Sequence, residues 1–570
     1  MNPTVTKTAL MTCLSLLTVA ACSSSQGPGG VTGTGGNSRG SGGSGATTGS
    51  GGGGAGPTGT GGTIGTEGDS GGTAAGTGGA ANTGGSAGAS SGVGGGPGNG
   101  GSAGAGAAGG SAGTGQTTGT GGGAGTSACV IPPPAAAAGA SDVVDGELIQ
   151  FNDNGGWCWF QEERVVVDTV NGKLILGSDA NKSGSGGTAR DGQVEAVIYD
   201  LKTKAVERPF QLKKLKPDDH NTPGFLIRPD GKYLTMYTGH NETCLSFYRT
   251  YDGMKWGPES SFDWGPHGCP TITTDTVRAS YENLYYLSAE HKIYSFVRSV
   301  GASPNFLFSS DNGDTFAYGG RLTSTPVTGY VAGYYKYWGN GVDRIDFVAT
   351  ENHPRDVNTS LFHGYIKGGK SFDSSGKMVD GNISDANAPV VTEFTKLFAA
   401  DTVVNGIKMT RAWMADFQTW PDGTMAVIFK ARANNSETDH RFLYGRFDGS
   451  TWKTTYLSKA GTKLFGSEQD YTGLGALHPN DPHTIYISTT FDPRNDTTQF
   501  PKHEIFRGST CDNGATWTWS PVTQKSTRDN LRPVVPAWDS KNTALLWVRG
   551  TYSTAQSYNE TIVGIIKSTP

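Results

Sequence analysis

Two histidines, a tyrosine and an arginine raise the first chemical question in this sequence. His220 and His240 lie ten residues on either side of Asp230, and Tyr281 and Arg298 lie nine before and eight after Glu290. Imidazole and phenol groups move protons, and a guanidinium grips a carboxylate through paired, charge-assisted hydrogen bonds. Such a set suits proton abstraction beside an anionic group, provided the fold gathers it. Taken singly, each residue also has a plain structural use: a strand-end histidine packs a loop, and a tyrosine or arginine rims a core. The matching offsets in two consecutive hairpins set the group apart.

Those hairpins belong to a longer series. Turn signals recur near residues 171, 230, 290, 340, 422, 481 and 540, among them Asn171-Gly172, Pro229-Asp230-Gly231, Asn340-Gly341 and Pro421-Asp422-Gly423. The intervals are 59, 60, 50, 82, 59 and 59 residues. Helical periodicity is nearly absent, and short alternating or apolar runs dominate. Seven units of about four strands each predict an all-β fold, a seven-bladed β-propeller over about 145–570. The last unit is incomplete after Thr561–Lys567, and Glu147–Phe151 can supply its outer strand and close the ring. In a blade, the turn between the first two strands lies on one face. The residues entering the first strand and leaving the second meet on the other, so His220, His240, Tyr281 and Arg298 are expected to share a face.

Composition divides the chain. Of its 570 residues 89 are glycine, and 47 of these fall between Ser23 and Ser127. That stretch has no aromatic residue, so it cannot bury enough apolar surface to offset the entropy of ordering and is expected to be a disordered linker. All 56 aromatic residues lie in 128–570. Before the linker, Lys7, the short apolar run Ala9 to Ala21 and then Cys22 read as a signal peptide over 1–21. Val19-Ala20-Ala21-Cys22 resembles the bacterial lipobox, which implies lipidation at Cys22 and an exported lipoprotein of the outer membrane or cell surface, with residues 22–127 as its tether. The net charge of −5, without a basic stripe, does not indicate nucleic acid. No later apolar run is long enough to span a membrane. Export exposes Cys129, Cys158, Cys244, Cys269 and Cys511 to oxidation; Cys244–Cys269 is a candidate disulfide that spacing alone does not fix.

Two segments strengthen the fold expectation. Ser309-Ser310-Asp311-Asn312-Gly313-Asp314-Thr315-Phe316 and Thr510-Cys511-Asp512-Asn513-Gly514-Ala515-Thr516-Trp517 match the Asp-box of BNR-repeat proteins, with partial copies at Asp252-Gly253 and Asp448-Gly449. The Asp and Gly shape a tight turn and the aromatic pins it to the blade. Further segments are Gly156-Trp157-Cys158-Trp159-Phe160-Gln161, Asp219-His220-Asn221, Gly239-His240, Tyr281-Glu282-Asn283, Phe296-Val297-Arg298, Tyr334-Tyr335-Lys336-Tyr337, Asn352-His353-Pro354 and Asn530-Leu531-Arg532-Pro533. Together they resemble the BNR-repeat, neuraminidase-like propeller family that includes the ulvan lyases.

That resemblance implies a polysaccharide lyase acting on an acidic, uronate-containing polymer by β-elimination, with no cofactor required for catalysis. His220 and Tyr281 would share the proton work at C5 and at the departing C4 oxygen, in an order the resemblance leaves open. Arg298 and His240 would neutralise the uronate carboxylate, and Tyr334 would complete the site, although Tyr335 and Tyr337 stand close by. Two other readings stay open. A sialidase would need three arginines on one carboxylate, for which Arg164, Arg298 and Arg532 are nominees. A non-catalytic glycan-binding or structural propeller would need no such constellation. His353 and His363 are candidates for a structural metal ion, against the simpler reading of a loop turn at His353-Pro354.

Overall fold

The computed structural model describes residues 139–159, 164–269, 278–324 and 333–568. The expectations for the signal peptide, Cys22 and the linker lie outside the described residues. Seven antiparallel sheets of four to six strands follow one another along the chain as a seven-bladed propeller. Blade one starts at strand Val165–Asp168 and ends at Phe210–Lys214. Blade two runs from Gly224–Ile227 to Ser260–Asp263, blade three from Ser280–Leu287 to Ala317–Arg321, and blade four from Tyr335–Gly339 to Thr395–Phe398. Blade five runs from Val403–Val404 to Trp452–Gly461, and blade six from Gly475–Leu477 to Thr518–Pro521.

Blade seven closes the ring as expected. Its strands Asp529–Val534, Asn542–Thr554 and Ser557–Ser568 are completed by Ile149–Asn152, with Ile149 opposite Gly564 and Gln150 opposite Val563. Pairing the two ends covers an edge that would otherwise expose unpaired backbone groups. All seven hairpin turns fall where the repeat places them. The one long interval, between residues 340 and 422, is filled by extra strands of blade four, Met378–Asp380 and Thr395–Phe398.

Blades stack face to face, so their second strands are covered on both sides. Tyr233–Tyr237 in blade two and Met425–Ala433 in blade five are buried at every position. The disulfide Cys244–Cys269, with its sulfurs 2.01 Å apart, joins the segments flanking the third and fourth strands of blade two. Cys158 is buried with a free thiol.

The two matched eight-residue turns fold alike. In the first, Gly313 N–H donates to Ser309 Oγ at 2.7 Å and Thr315 N–H to Asp311 Oδ1 at 2.9 Å. In the second, Gly514 N–H donates to Thr510 Oγ1 at 2.8 Å and Thr516 N–H to Asp512 Oδ1 at 2.8 Å. Gly313 and Gly514 take φ of +87° and +88°, where a side chain would be strained. The terminal aromatic also reaches the preceding blade: Phe316 meets Tyr248 edge-on at 5.1 Å, and Trp517 meets Tyr444 edge-on at 5.1 Å. These turns therefore fasten blade three to blade two and blade six to blade five.

Candidate functional site

The site is built where the chain enters and leaves the inner hairpins of blades two and three. Asp218 accepts the His220 N–H at 3.1 Å and caps one turn of 3-10 helix, Asp219–Asn221, just before blade two. That turn presents the His220 ring. Asn221 Oδ1 accepts the His240 N–H at 2.7 Å, tying the exit of the hairpin to its entrance. The two imidazoles stack with centroids 4.1 Å apart and planes 8° from parallel. Tyr281 begins blade three at φ +67°, within an irregular pairing between Ser280 and Asn283. A non-glycine residue there carries of order 1–3 kcal/mol of backbone strain, which the surrounding packing must hold. The kink brings the Tyr281 ring to 5.6 Å from His220 and 6.3 Å from His240.

Arg298 binds the group together. Its guanidinium lies over the Tyr281 ring at 4.7 Å, and its Nη2 donates to His240 Nε2 at 3.2 Å and its Nη1 to Tyr334 OH at 3.5 Å. The five nominated side chains are thus contiguous. Of the neighbouring tyrosines, Tyr334 is the one whose hydroxyl meets Arg298. Tyr335 instead shares a hydrogen bond with Thr323 Oγ1 at 2.5 Å, and Tyr337 stacks on Phe296 at 4.4 Å in the blade core. A small cavity of about 20 Å³ is lined by Tyr281, Arg298, Tyr334, Tyr335 and Tyr337 among others.

Electrostatics separate the two histidines. Burial opposes a charge on His220, but the facing charges of Cys158, Tyr281, Asp218 and Asp219 outweigh it and raise its proton affinity well above the ordinary value. Its Nδ1 lies 2.5 Å from Asp218 Oδ1 and 2.7 Å from Asp219 Oδ1. Burial and the charge on His220 push His240 down to about 4. Its hydrogen bonds agree, because Nε2 accepts from Arg298 and Nδ1 donates to Asp218 Oδ2 at 3.1 Å. The stacked pair therefore holds one protonated and one neutral ring. Although burial works against it, Asp218 is held well below the carboxylate range by both imidazoles, whereas burial raises Asp219.

The structure adds residues that the sequence reading did not nominate for the site. Tyr471 OH lies 3.4 Å from His220 Nε2, and Trp159 stacks on Tyr471 at 4.9 Å. Trp413 meets Tyr334 at 4.7 Å. A usable signal existed: Tyr471 stands ten residues before Asp481 and Trp413 nine before Asp422, the offsets of His220 and Tyr281 from their own turns.

The two metal candidates have different surroundings. His353 Nε2 lies 3.2 Å from Tyr334 OH, so His353 belongs to this site. His363 sits within blade four, 2.7 Å from Ser374 Oγ and 3.0 Å from Asp346 Oδ1. Among the described residues, the groups with metal-ligand spacing are Cys158, Asp219 and His220, and Asp218, His220 and His240; neither includes His353 or His363. The three arginines of the sialidase reading rest against different neighbours. Arg164 donates to the Pro223 carbonyl at 2.6 Å, Arg298 holds His240 and Tyr334, and Arg532 lies over Trp157 at 5.9 Å.

The sequence matches no protein-family model and no curated protein. Solved structures do resemble the fold. An ulvan lyase of polysaccharide lyase family PL25 agrees with a TM-score of 0.52 at 14% identity, over 74% of this chain and 96% of its own. A PL25 ulvan lyase bound to -[GlcA(1-4)Rha3S]- gives the same values. The NanB sialidase of Streptococcus pneumoniae reaches a TM-score of 0.36 at 10% identity, over 74% of this chain and 70% of its own. What this chain shares with the ulvan lyases is the fold.

Proposed function

We propose that this chain is a polysaccharide lyase that cleaves an acidic, uronate-containing polymer of the ulvan kind by β-elimination. The observation that carries this reading is the contiguity of a protonated histidine, a neutral histidine, a strained tyrosine and an arginine beside one cavity. Arg298 and His240 face the uronate carboxylate, and neutralising it makes the C5 proton more acidic. In this reading His220 serves as the acid and Tyr281 as the base. Tyr281, lying beneath the Arg298 guanidinium, takes the C5 proton as its phenolate. His220 Nε2–H donates to the C4 oxygen as the C4–O bond breaks and a C4–C5 double bond forms. The likeness in fold to an ulvan lyase solved with a glucuronate–sulfated rhamnose repeat supports this choice of substrate class.

The test is incubation of folded protein with ulvan and other polyuronates while following ultraviolet absorbance of the unsaturated product. A rise on at least one polyuronate is expected, and no rise on any overturns the reading. Binding without turnover, unaffected by Tyr281→Phe, would favour the glycan-capturing alternative. We propose further that the enzyme is displayed at the cell surface on a lipid carried by Cys22; Cys22→Ser should release it to the medium.

A further inference from the structure

An irregularity in blade three sets the direction of Tyr281. The first strand, Ser280–Leu287, pairs Ser280 with Arg298 and Asn283 with Phe296, so Tyr281 and Glu282 together stand opposite Val297 alone. This is a β-bulge, which bends a strand and re-aims the side chain it carries. In one common class the first bulged residue is a glycine at positive φ; here it is Tyr281 at +67°. Groups outside the tyrosine must hold it there.

The neighbouring Glu282 supplies that hold. It is fully buried where blades two and three meet. Its Oε1 accepts the hydroxyl of Ser246, on the third strand of blade two, Leu245–Tyr251. Its Oε2 accepts from Ser295 Oγ at 2.7 Å, on the second strand of blade three, Lys292–Arg298. Ser246 is oriented in turn by Trp264, whose indole N–H donates to Ser246 Oγ at 2.9 Å and leaves the hydroxyl proton for Glu282. The main chain is held as well. A Cβ on Gly224 would stand 2.8 Å from the Glu282 carbonyl oxygen, so the first strand of blade two closes on the bulge only because residue 224 is glycine. Burial pushes the Glu282 carboxyl up to about 7 against both serine hydroxyls and the charge of Arg164. A residue that only filled space would avoid this cost; directed hydrogen bonds to two blades fix orientation as well as depth.

We propose that Glu282 is the positioning residue of Tyr281: tied to both blades, it holds the bulge that sets the phenol beneath the Arg298 guanidinium. The inference rests on the reading of Tyr281 as the base. The test is steady-state cleavage of a polyuronate by Glu282 variants well below their melting temperatures, with crystal structures of the same proteins. Glu282→Ala should lower kcat about 10²-fold with KM little changed, because the phenol is misplaced while the carboxylate clamp stays. Glu282→Gln can still accept from Ser246 and donate to Ser295, and should keep kcat within about threefold of wild type. If Glu282→Ala does not fold, Ser295→Ala removes one tie and should lower kcat about tenfold. Glu504 is the control, a buried carboxylate of blade six held by Thr523 Oγ1 at 2.6 Å and Ser526 Oγ at 2.7 Å. Glu504→Ala should cost stability at unchanged kcat. Full kcat in both Glu282→Ala and Ser295→Ala, an equal loss in Glu282→Gln, or an equal loss in Glu504→Ala overturns the proposal. If the wild type cleaves no polyuronate, the lyase reading falls and the crystal structure decides the clamp by itself. A Tyr281 displaced from Arg298 in Glu282→Ala supports the clamp, and one still at positive φ beneath Arg298 overturns it.

Discussion

Blades two and three and blades five and six place polar groups at corresponding offsets and use them differently. Blade two offers His220 and His240 at ten residues before and after its turn; blade five offers Lys430 eight residues and Arg432 ten residues after Asp422. Asp219 precedes His220 as Asp470 precedes Tyr471. In blades five and six the charges are internally consumed. Lys430 pairs with Asp470, and Arg432 Nη2 reaches the same carboxylate at 2.5 Å. Burial pushes Lys430 down to about 8 despite that partner. In blades two and three the positive groups are shared with aromatic faces, and a cavity opens beside Tyr281 and Arg298. One framework thus supports a closed ion-pair lock and an open chemical site. The lesson is that strand-end position confers the opportunity for chemistry, and the neighbouring partners decide whether it remains available.

The strongest test of that contrast is catalytic. Tyr281→Phe should lower polyuronate cleavage by about 10²–10⁴-fold with melting temperature little changed, and His220→Ala should lower it as far while also costing stability, because Asp218 and Asp219 lose their buried partner. Retained turnover would remove those residues from the mechanism. Blades five and six should answer in stability instead. Asp470→Asn leaves Lys430 and Arg432 buried without their anion and should cost about 3–5 kcal/mol in denaturant unfolding. A loss of activity at unchanged stability would break the comparison.

Acid titration sharpens it further. His240 is depressed in the fold, so below the ordinary histidine value of 6.5 the unfolded chain binds a proton that the folded chain refuses until about pH 4. Stability is therefore lost as pH falls across that window, at about 1.4 kcal/mol per pH unit from this group. His220 has the opposite sign: its raised affinity stabilises the fold below 6.5 and is lost as pH rises through its folded value. Subtracting the unfolding profile of His240→Gln from the wild-type profile should isolate the acid slope, and a flat difference would contradict the split protonation. The smallest effect is expected at the stapled seam. Asp314→Ala removes a half-exposed ion pair with Arg228 and should cost up to about 1 kcal/mol in the same unfolding assay.

Much of the architecture was legible because turn chemistry is local. Asn171-Gly172 or Pro421-Asp422-Gly423 bends the chain wherever it stands, so counting such signals located seven hairpins and the closing strand. The stacked histidines were legible for the same reason, since equal offsets about Asp230 force two strand ends together. Tyr471 and Trp413 obey the offset rule yet were not nominated, because their residue types do not announce chemistry without a neighbour to serve. The contact of His353 with Tyr334 was not legible, because a histidine's role depends on what faces it, and Tyr334 faces it only after blade four folds. That Phe316 and Trp517 also reach Tyr248 and Tyr444 of the preceding blades was not legible, because it depends on how sheets stack.

The sequence by itself determined the repeat, the turn positions, the face on which His220, His240, Tyr281 and Arg298 would meet, and the split between a glycine-rich segment and an aromatic-rich one. Those properties follow from short-range geometry and composition. Only the tertiary structure decided that the two stacked histidines differ in proton affinity, that Tyr334 rather than Tyr335 or Tyr337 meets Arg298, and that Lys430 and Arg432 share one buried carboxylate. Each of these depends on burial and on charges brought close from distant parts of the chain.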